Sequence, residues 1–153
     1  MIKEVMLQDL EQAIGLVNRV FGEFVAADYS EEGKAAFETY LQNKYTELSQ
    51  GISSGKKKMW GYYQEEAILG VIATRDVSHI SLLFVDKRHH GKGIAGQLLG
   101  AVLKELENAG GAARITVNSS PYAVEIYERL GFARAGERQE KDGILFIPMS
   151  KNL

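Results

Sequence analysis

Residues 81–99 read Ser-Leu-Leu-Phe-Val-Asp-Lys-Arg-His-His-Gly-Lys-Gly-Ile-Ala-Gly-Gln-Leu-Leu, an apolar strand running into a glycine-rich turn that opens an amphipathic helix. Gly91, Gly93 and the small Ala95 allow a ligand to come close to the backbone. The first-turn N–H groups of such a helix have no partners within it, and its dipole favours negative charge there. Residues 91–96 thus form a phosphate cradle, and Lys92 adds a point charge. A Walker loop is excluded, because no Ser or Thr follows a Gly-Lys pair at the required spacing. Gly91-Lys-Gly93-Ile-Ala-Gly96 matches the letters of a dinucleotide fingerprint. However, Asp86 to His90 separate it from the strand, and the next strand ends in Asn118 where a ribose-binding acid is wanted. A purely structural glycine turn stays open as an alternative.

Elements on either side must hold this loop. A short apolar opening precedes a helix whose stripe is Leu7, Leu10, Ile14, Val17, Phe21 and Phe24. A second helix starts after Ser30, with stripe Phe37, Leu41, Tyr45, Leu48 and Ile52. Strands follow at Met59–Gln64, Ala67–Thr74 and Val77–Val85. Alternation in the third points Ile80, Leu82 and Phe84 one way, and His79, Ser81, Leu83 and Val85 the other. A helix from Ile94 ends at Gly110-Gly111, and Ala113–Asn118 is a short buried strand. Ser120 caps and Pro121 opens a helix with stripe Ala123, Ile126, Tyr127 and Leu130. Two strands, about 133–140 and 144–149, turn around Lys141-Asp142-Gly143. The fold class is α+β, a mixed and mostly antiparallel sheet of about seven strands with helices on both faces.

Composition narrows the function. The 153 residues suit one domain, 1–153, large enough to bury a core unaided. A net charge of −2 argues against nucleic acid as a partner. The absence of Cys removes disulfides, cysteine zinc sites and a thiol nucleophile, and no metal site is expected. No stretch approaches a membrane span, so the chain reads as soluble and cytoplasmic, with a homodimer left open. Acids outnumber bases 12 to 8 in residues 1–76, and bases outnumber acids 10 to 8 in residues 77–153. That split suits a cation on one side and an anionic cofactor on the other, or solvated faces of unequal sign. The Lys56-Lys57-Lys58 run reads as an exposed face, and His89 as solvated.

The glycine segment resembles motif A of the GNAT superfamily of acyl-CoA N-acyltransferases, in the register His90-Gly-Lys-Gly93-Ile-Ala95. His90 stands where that motif has Arg or Gln. Asn118-Ser-Ser-Pro-Tyr-Ala-Val-Glu-Ile-Tyr127-Glu-Arg-Leu-Gly-Phe132 resembles the family's motif B, with Ser120 where Asn is common. The two motifs span about 79–132 in the right order, and the element order matches the family's fold across the chain.

The resemblance implies acetyl-CoA as co-substrate and an amine as acceptor. Its pyrophosphate would lie on His90, Gly91, Lys92, Gly93, Ile94, Ala95 and Gly96, with Ser120 nearby. Its pantetheine arm would run beside Leu83, Phe84 and Val85 like an added strand. The thioester carbonyl would lie near the Val85 N–H, a donor for developing negative charge. Tyr127 matches the helix tyrosine that reaches the thiol sulfur in many members, the alternative being a core tyrosine. His79 occupies a position where some members carry a basic His facing the acceptor, and an unperturbed pKa of about 6.5 suits proton removal. Glu23, Asp28 and Glu32 are alternative bases, and a surface His is the other reading of His79. The acidic, aromatic stretch Phe21–Tyr40 points to a cationic acceptor, otherwise unspecified. The implied function is direct N-acetyl transfer. A non-catalytic CoA-binding sensor or interaction module on the same fold is the alternative, and a purely structural domain a third reading.

Overall fold

The computed structural model describes residues 1–153, the side chain of Phe24 excepted, so that member of the expected first stripe lies outside what is described. The strands are β1 (Ile2–Glu4), β2 (Met59–Gln64), β3 (Ala67–Arg75), β4 (His79–Val85), β5 (Arg114–Ser119), β6 (Ala133–Arg134), β7 (Gln139–Lys141) and β8 (Ile144–Asn152). The helices are α1 (Leu10–Val20), α2 (Glu31–Ser54), α3 (Ile94–Asn108) and α4 (Val124–Arg129). They build one mixed sheet in the order β1-β2-β3-β4-β5-β8-β6, with β7 also paired to β8. Every pairing is antiparallel except that of β4 with β5. The helices α1 and α2 cover one face around Leu16, Val17, Phe37, Leu41, Val71 and Leu82. The other face packs on α3 and α4 through Ile72, Ile80, Leu98, Val102, Ile115 and Tyr127. Among the described residues, no helix is long and apolar enough to cross a membrane.

The strand expected over 133–140 is two strands, which makes eight where seven were expected. Arg134 pairs with Met149, but Gln139 pairs with Phe146, so two extra residues loop out between them. Pro148 lies opposite the break. Its carbonyl accepts from the Ala135 N–H, but it has no N–H to return. The first helix is also shorter than its stripe. It gives way to a π-helical turn over Phe21–Val25 and a 3₁₀ turn over Ala26–Asp28, which form the connection to α2. In α2, whose Ser30 hydroxyl accepts from the Gly33 N–H as anticipated, Lys44 is buried in place of Tyr45, which is 38% exposed. Lys44 pairs with Glu47 at 3.5 Å, and burial pushes its pKa down.

The three-residue turn between β3 and β4 places Val77 at φ +71° with 71% of its surface exposed. A β-branched residue gains nothing there to offset left-handed strain of roughly 1–2 kcal/mol. Asn tolerates that region, so Val77→Asn is expected to raise stability by about 1 kcal/mol. A higher denaturant midpoint at unchanged m-value checks it.

Candidate active site

The centre of the sheet is open. Parallel pairing of β4 with β5 is confined to His79 with Thr116 and Ile80 with Val117. Beyond those residues the strands part, and a cavity of about 560 Å³ passes between them. Its lining reaches from Phe21, Tyr29 and Phe37 on one face of the sheet to Ile126, Tyr127 and Leu130 on the other. Strand β4 is bonded to β3 on its other side, where Gly70 pairs with Val85 and Ile72 with Leu83. The Asp86 N–H donates to the Leu69 carbonyl at 2.8 Å. By the alternation of an antiparallel ladder, Phe84 and Leu82 turn their backbone groups to β3, while Leu83 and Val85 turn theirs to the opening.

A bulge sets this geometry. Ala73 pairs with Leu82 and Thr74 with Ile80, so Ser81 has no partner residue in β3. Alternation therefore reverses across Ser81. Ile80 joins the α3 and α4 side with Leu83 and Val85, whereas Leu82 and Phe84 face α1 and α2. The expectation that His79 shares a face with Val85 is thereby corrected. Its Nδ1 lies 2.8 Å from Oγ1 of Thr116, whose neighbours Ile115 and Val117 point to the other side. His79 does not line the cavity. Burial, aided by the Arg75 charge, lowers its pKa below the ordinary imidazole value.

Helix α3 is seated close to the sheet because β3 carries Gly70 beneath it. A Cβ there would lie 3.0 Å from Ile94 and 3.1 Å from Leu98. The turn into α3 needs Gly91 and Gly93 at φ +79° and +77°, in the left-handed region. Leu83, Phe84, Val85, His90, Gly91, Gly93, Ile94, Ala95, Gly96, Ser120 and Tyr127 line one cavity, and Lys92 does not. Lys92 instead donates to Nδ1 of His89 at 3.2 Å, and His89 itself lines the cavity. His90 Nε2 lies 2.7 Å from the Val85 carbonyl, a contact in which that nitrogen carries the proton. Tyr127 is 5% exposed and meets Phe132 edge to face at 5.4 Å between ring centres. Burial pushes its phenol up, so the hydroxyl keeps its proton throughout the neutral range.

None of Glu23, Asp28 and Glu32 lines the cavity. Glu23 pairs with Lys87 at 2.9 Å and Arg19 at 3.9 Å, while Asp28 and Glu32 are exposed. The acids of the first helix connection thus stay out of the lining that their position in sequence assigned to them.

A model of the acetyltransferase (GNAT) domain matches residues 25–153. The chain belongs to the GNAT acetyltransferase family. No curated protein matches it. Among solved structures it is similar to the GCN5-related N-acetyltransferase "Aminotransferase, Class-II" from Rhodopseudomonas palustris. The two share 20% identity, with a TM-score of 0.81 over 100% of this chain and 95% of that one. PaiA N-acetyltransferase from Thermoplasma acidophilum, in complex with coenzyme A, gives 21% identity and 0.77 over 100% and 98%. Ribosomal-protein-alanine N-acetyltransferase from Brucella melitensis gives 19% and 0.72 over 100% and 99%. At these identities the likeness is one of fold.

Sequence reasoning passed over Asp86, which this GNAT domain buries to 3% exposure at the end of β4. Its Oδ1 accepts from the Arg88 N–H at 2.9 Å and Arg88 Nε at 3.2 Å. Its Oδ2 accepts from Arg88 Nη2 at 3.2 Å and Arg19 Nη2 of α1 at 3.0 Å. One carboxylate thus joins the glycine loop to the helix behind the opposite wall. The Arg88 guanidinium holds that carboxyl well below the usual range, with Arg19 adding to the effect. A carboxyl lowered in the fold adds stability above its unfolded pKa of about 3.9 and loses that contribution as pH falls towards the folded value. Asp86→Asn is therefore expected to cost roughly 1–2 kcal/mol at neutral pH, because both arginines are largely exposed. Chemical unfolding of both proteins should show a constant gap from pH 5 to 8, narrowing below about pH 4.

Proposed function

We propose that this GNAT acetyltransferase moves the acetyl group of acetyl-CoA directly to an amine. The observation that carries the reading is the cavity through the sheet. Two reactants can enter it from opposite faces and meet beside the unpaired backbone of β4. The residues present fit the co-substrate. Leu83 and the Val85 N–H offer strand-like backbone groups, the Val85 carbonyl being held by His90, and the turn of residues 91–96 offers N–H groups at the start of α3. When bound, the co-substrate supplies an acetyl group activated as a thioester. With no cysteine in the chain, a thiol-bound acyl-enzyme is excluded, in keeping with direct transfer.

Each proton then has a proposed carrier. Tyr127 Oη is the donor to the departing thiol sulfur, held in its protonated state by burial. The incoming ammonium must lose a proton before its nitrogen can attack. His79 is the proposed acceptor through water, since its ring lies on the α2 side and outside the cavity lining. The environment that lowers its pKa keeps its imidazole neutral, and so able to accept, at pH 7.

Acetyl-CoA at a hundredfold excess over Kd should stabilise the fold by about 2.7 kcal/mol, or roughly 5–10 °C in Tm. Release of CoA with an acetylated amine as product separates an enzyme from a CoA-binding module. Tyr127→Phe retains the ring against Phe132 and is expected to lower kcat about tenfold or more, with acetyl-CoA affinity within a few-fold of wild type. For His79→Ala, the expected loss in kcat/KM is about 100-fold for an amine below its own pKa. The pH profile locates that effect. Wild-type activity should fall only as pH drops through a value below about 6.5, and that limb should vanish in the variant.

A further inference from the structure

Ser81, the residue that β3 leaves without a partner, has none in β5 either, because the pairing of β4 with β5 ends at Ile80 and Val117. Continuing that register would set Ser81 against Asn118 and close the fork from which the cavity opens. Backbone groups away from water take a partner that is in reach, so an open fork needs one from elsewhere.

That partner comes from the helical layer. The Tyr40 hydroxyl, on α2, donates to the Ser81 carbonyl at 3.2 Å. The inserted residue is thus held from a helix instead of from a neighbouring strand. Burial raises the Tyr40 phenol above its ordinary value, so it remains a donor through the neutral range. The Ser81 Oγ is buried with no hydrogen-bond partner among the described residues, so the serine's own side chain does not hold the bulge. About one turn back on α2, Phe37 stands 5.8 Å from the Tyr40 ring, lines the cavity and stacks on Phe21 with centroids 3.8 Å apart. The same stretch of helix therefore carries part of the cavity wall and the contact to its fork. Tyr40 itself does not line the cavity.

We propose that Tyr40 is a positioning residue whose hydroxyl, by holding the Ser81 carbonyl, keeps β4 apart from β5 with the backbone of Leu83 and the Val85 N–H turned to the cavity. This rests on the transferase reading and adds to it a residue that touches neither reactant. Loss of the contact leaves a part-buried carbonyl short of a partner, and a shift of β4 towards β5 is the remedy at hand. Such a shift narrows the slot for a strand-like ligand and moves the Val85 N–H, and small misplacements of a donor to the reacting group are costly in rate.

Tyr40→Phe keeps the ring beside Phe37 and removes only the hydroxyl. The test is calorimetric titration with acetyl-CoA, together with turnover of 2-phenylethylamine, spermidine and a lysine-containing peptide, all well below the Tm of each protein. In Tyr40→Phe the Kd for acetyl-CoA should rise about tenfold and kcat should fall about tenfold. Leu48→Val, about two turns further along α2, deletes one fully buried methylene from the same layer. It should lower Tm while leaving Kd and kcat within about twofold of wild type, since it loosens the layer without touching the fork. Wild-type values of both constants in Tyr40→Phe, or an equal change in Leu48→Val, overturns the positioning role and leaves the transferase reading standing. No heat with acetyl-CoA in the wild type, or binding without acetylation of any amine, overturns the transferase reading and this inference together.

Discussion

The site depends on one extra residue in β4. An inserted residue bends a strand and increases its local twist, and Ser81 does so directly after the last pair that β4 makes with β5. The two central strands then diverge instead of zipping. Three consequences share that cause: the backbone of Leu83 and Val85 is left to the cavity, the faces of β4 exchange, and the Ser81 hydroxyl is stranded at the fork. A regular strand would join β4 to β5 along their length and close the passage.

Electrostatics keeps the two sides of the opening in register. The cavity lies between a loop rich in cations and a helix connection rich in acids, and one of those acids, Glu23, is spent on that loop while Asp28 and Glu32 face solvent. Glu23 holds Lys87, Arg19 reaches Asp86, and Asp86 gathers Arg88. These contacts turn the charges of both segments outward or towards each other. What the acidic stretch itself leaves to line the space is Phe21, Val25, Tyr29 and Phe37, and this is why an acidic stretch of sequence yields an aromatic wall.

Features set by local chemistry were legible before the structure. The glycine loop, the caps at Ser30 and Ser120 and the Asp142-Gly143 turn each follow from residues adjacent in the chain. Features set by a partner strand were hidden. Ile80, Leu82 and Phe84 alternate as any regular strand would, so nothing in their spacing announced that a residue of β3 is missing opposite Ser81. The break between β6 and β7 arises in the same way, from Pro148 on the neighbouring strand. The helical period in α2 could not separate Tyr45 from Lys44, which differ by one position and 100° of arc, and burial of the lysine followed from its pairing with Glu47. Of the cavity lining, the glycine-turn side was readable because backbone forms it. The aromatic side was not, because its character depends on which side chains of the helix connection turn inward.

The lengths of the outer strands have a consequence for association. Sheet edges present unpaired backbone that can recruit a foreign strand, and proteins commonly keep them short. Here β1 is three residues long and β6 two, so neither terminal edge offers a template of useful length. A further unpaired stretch is internal, on β4 from Leu83 to the Val85 N–H, where side chains from both helical layers surround it. An approaching polypeptide, with its own side chains and pleat, is too broad to reach it, whereas a slender chain of amides is not. The hazard that every open sheet carries has been moved inside the molecule, where width alone decides what can pair with it.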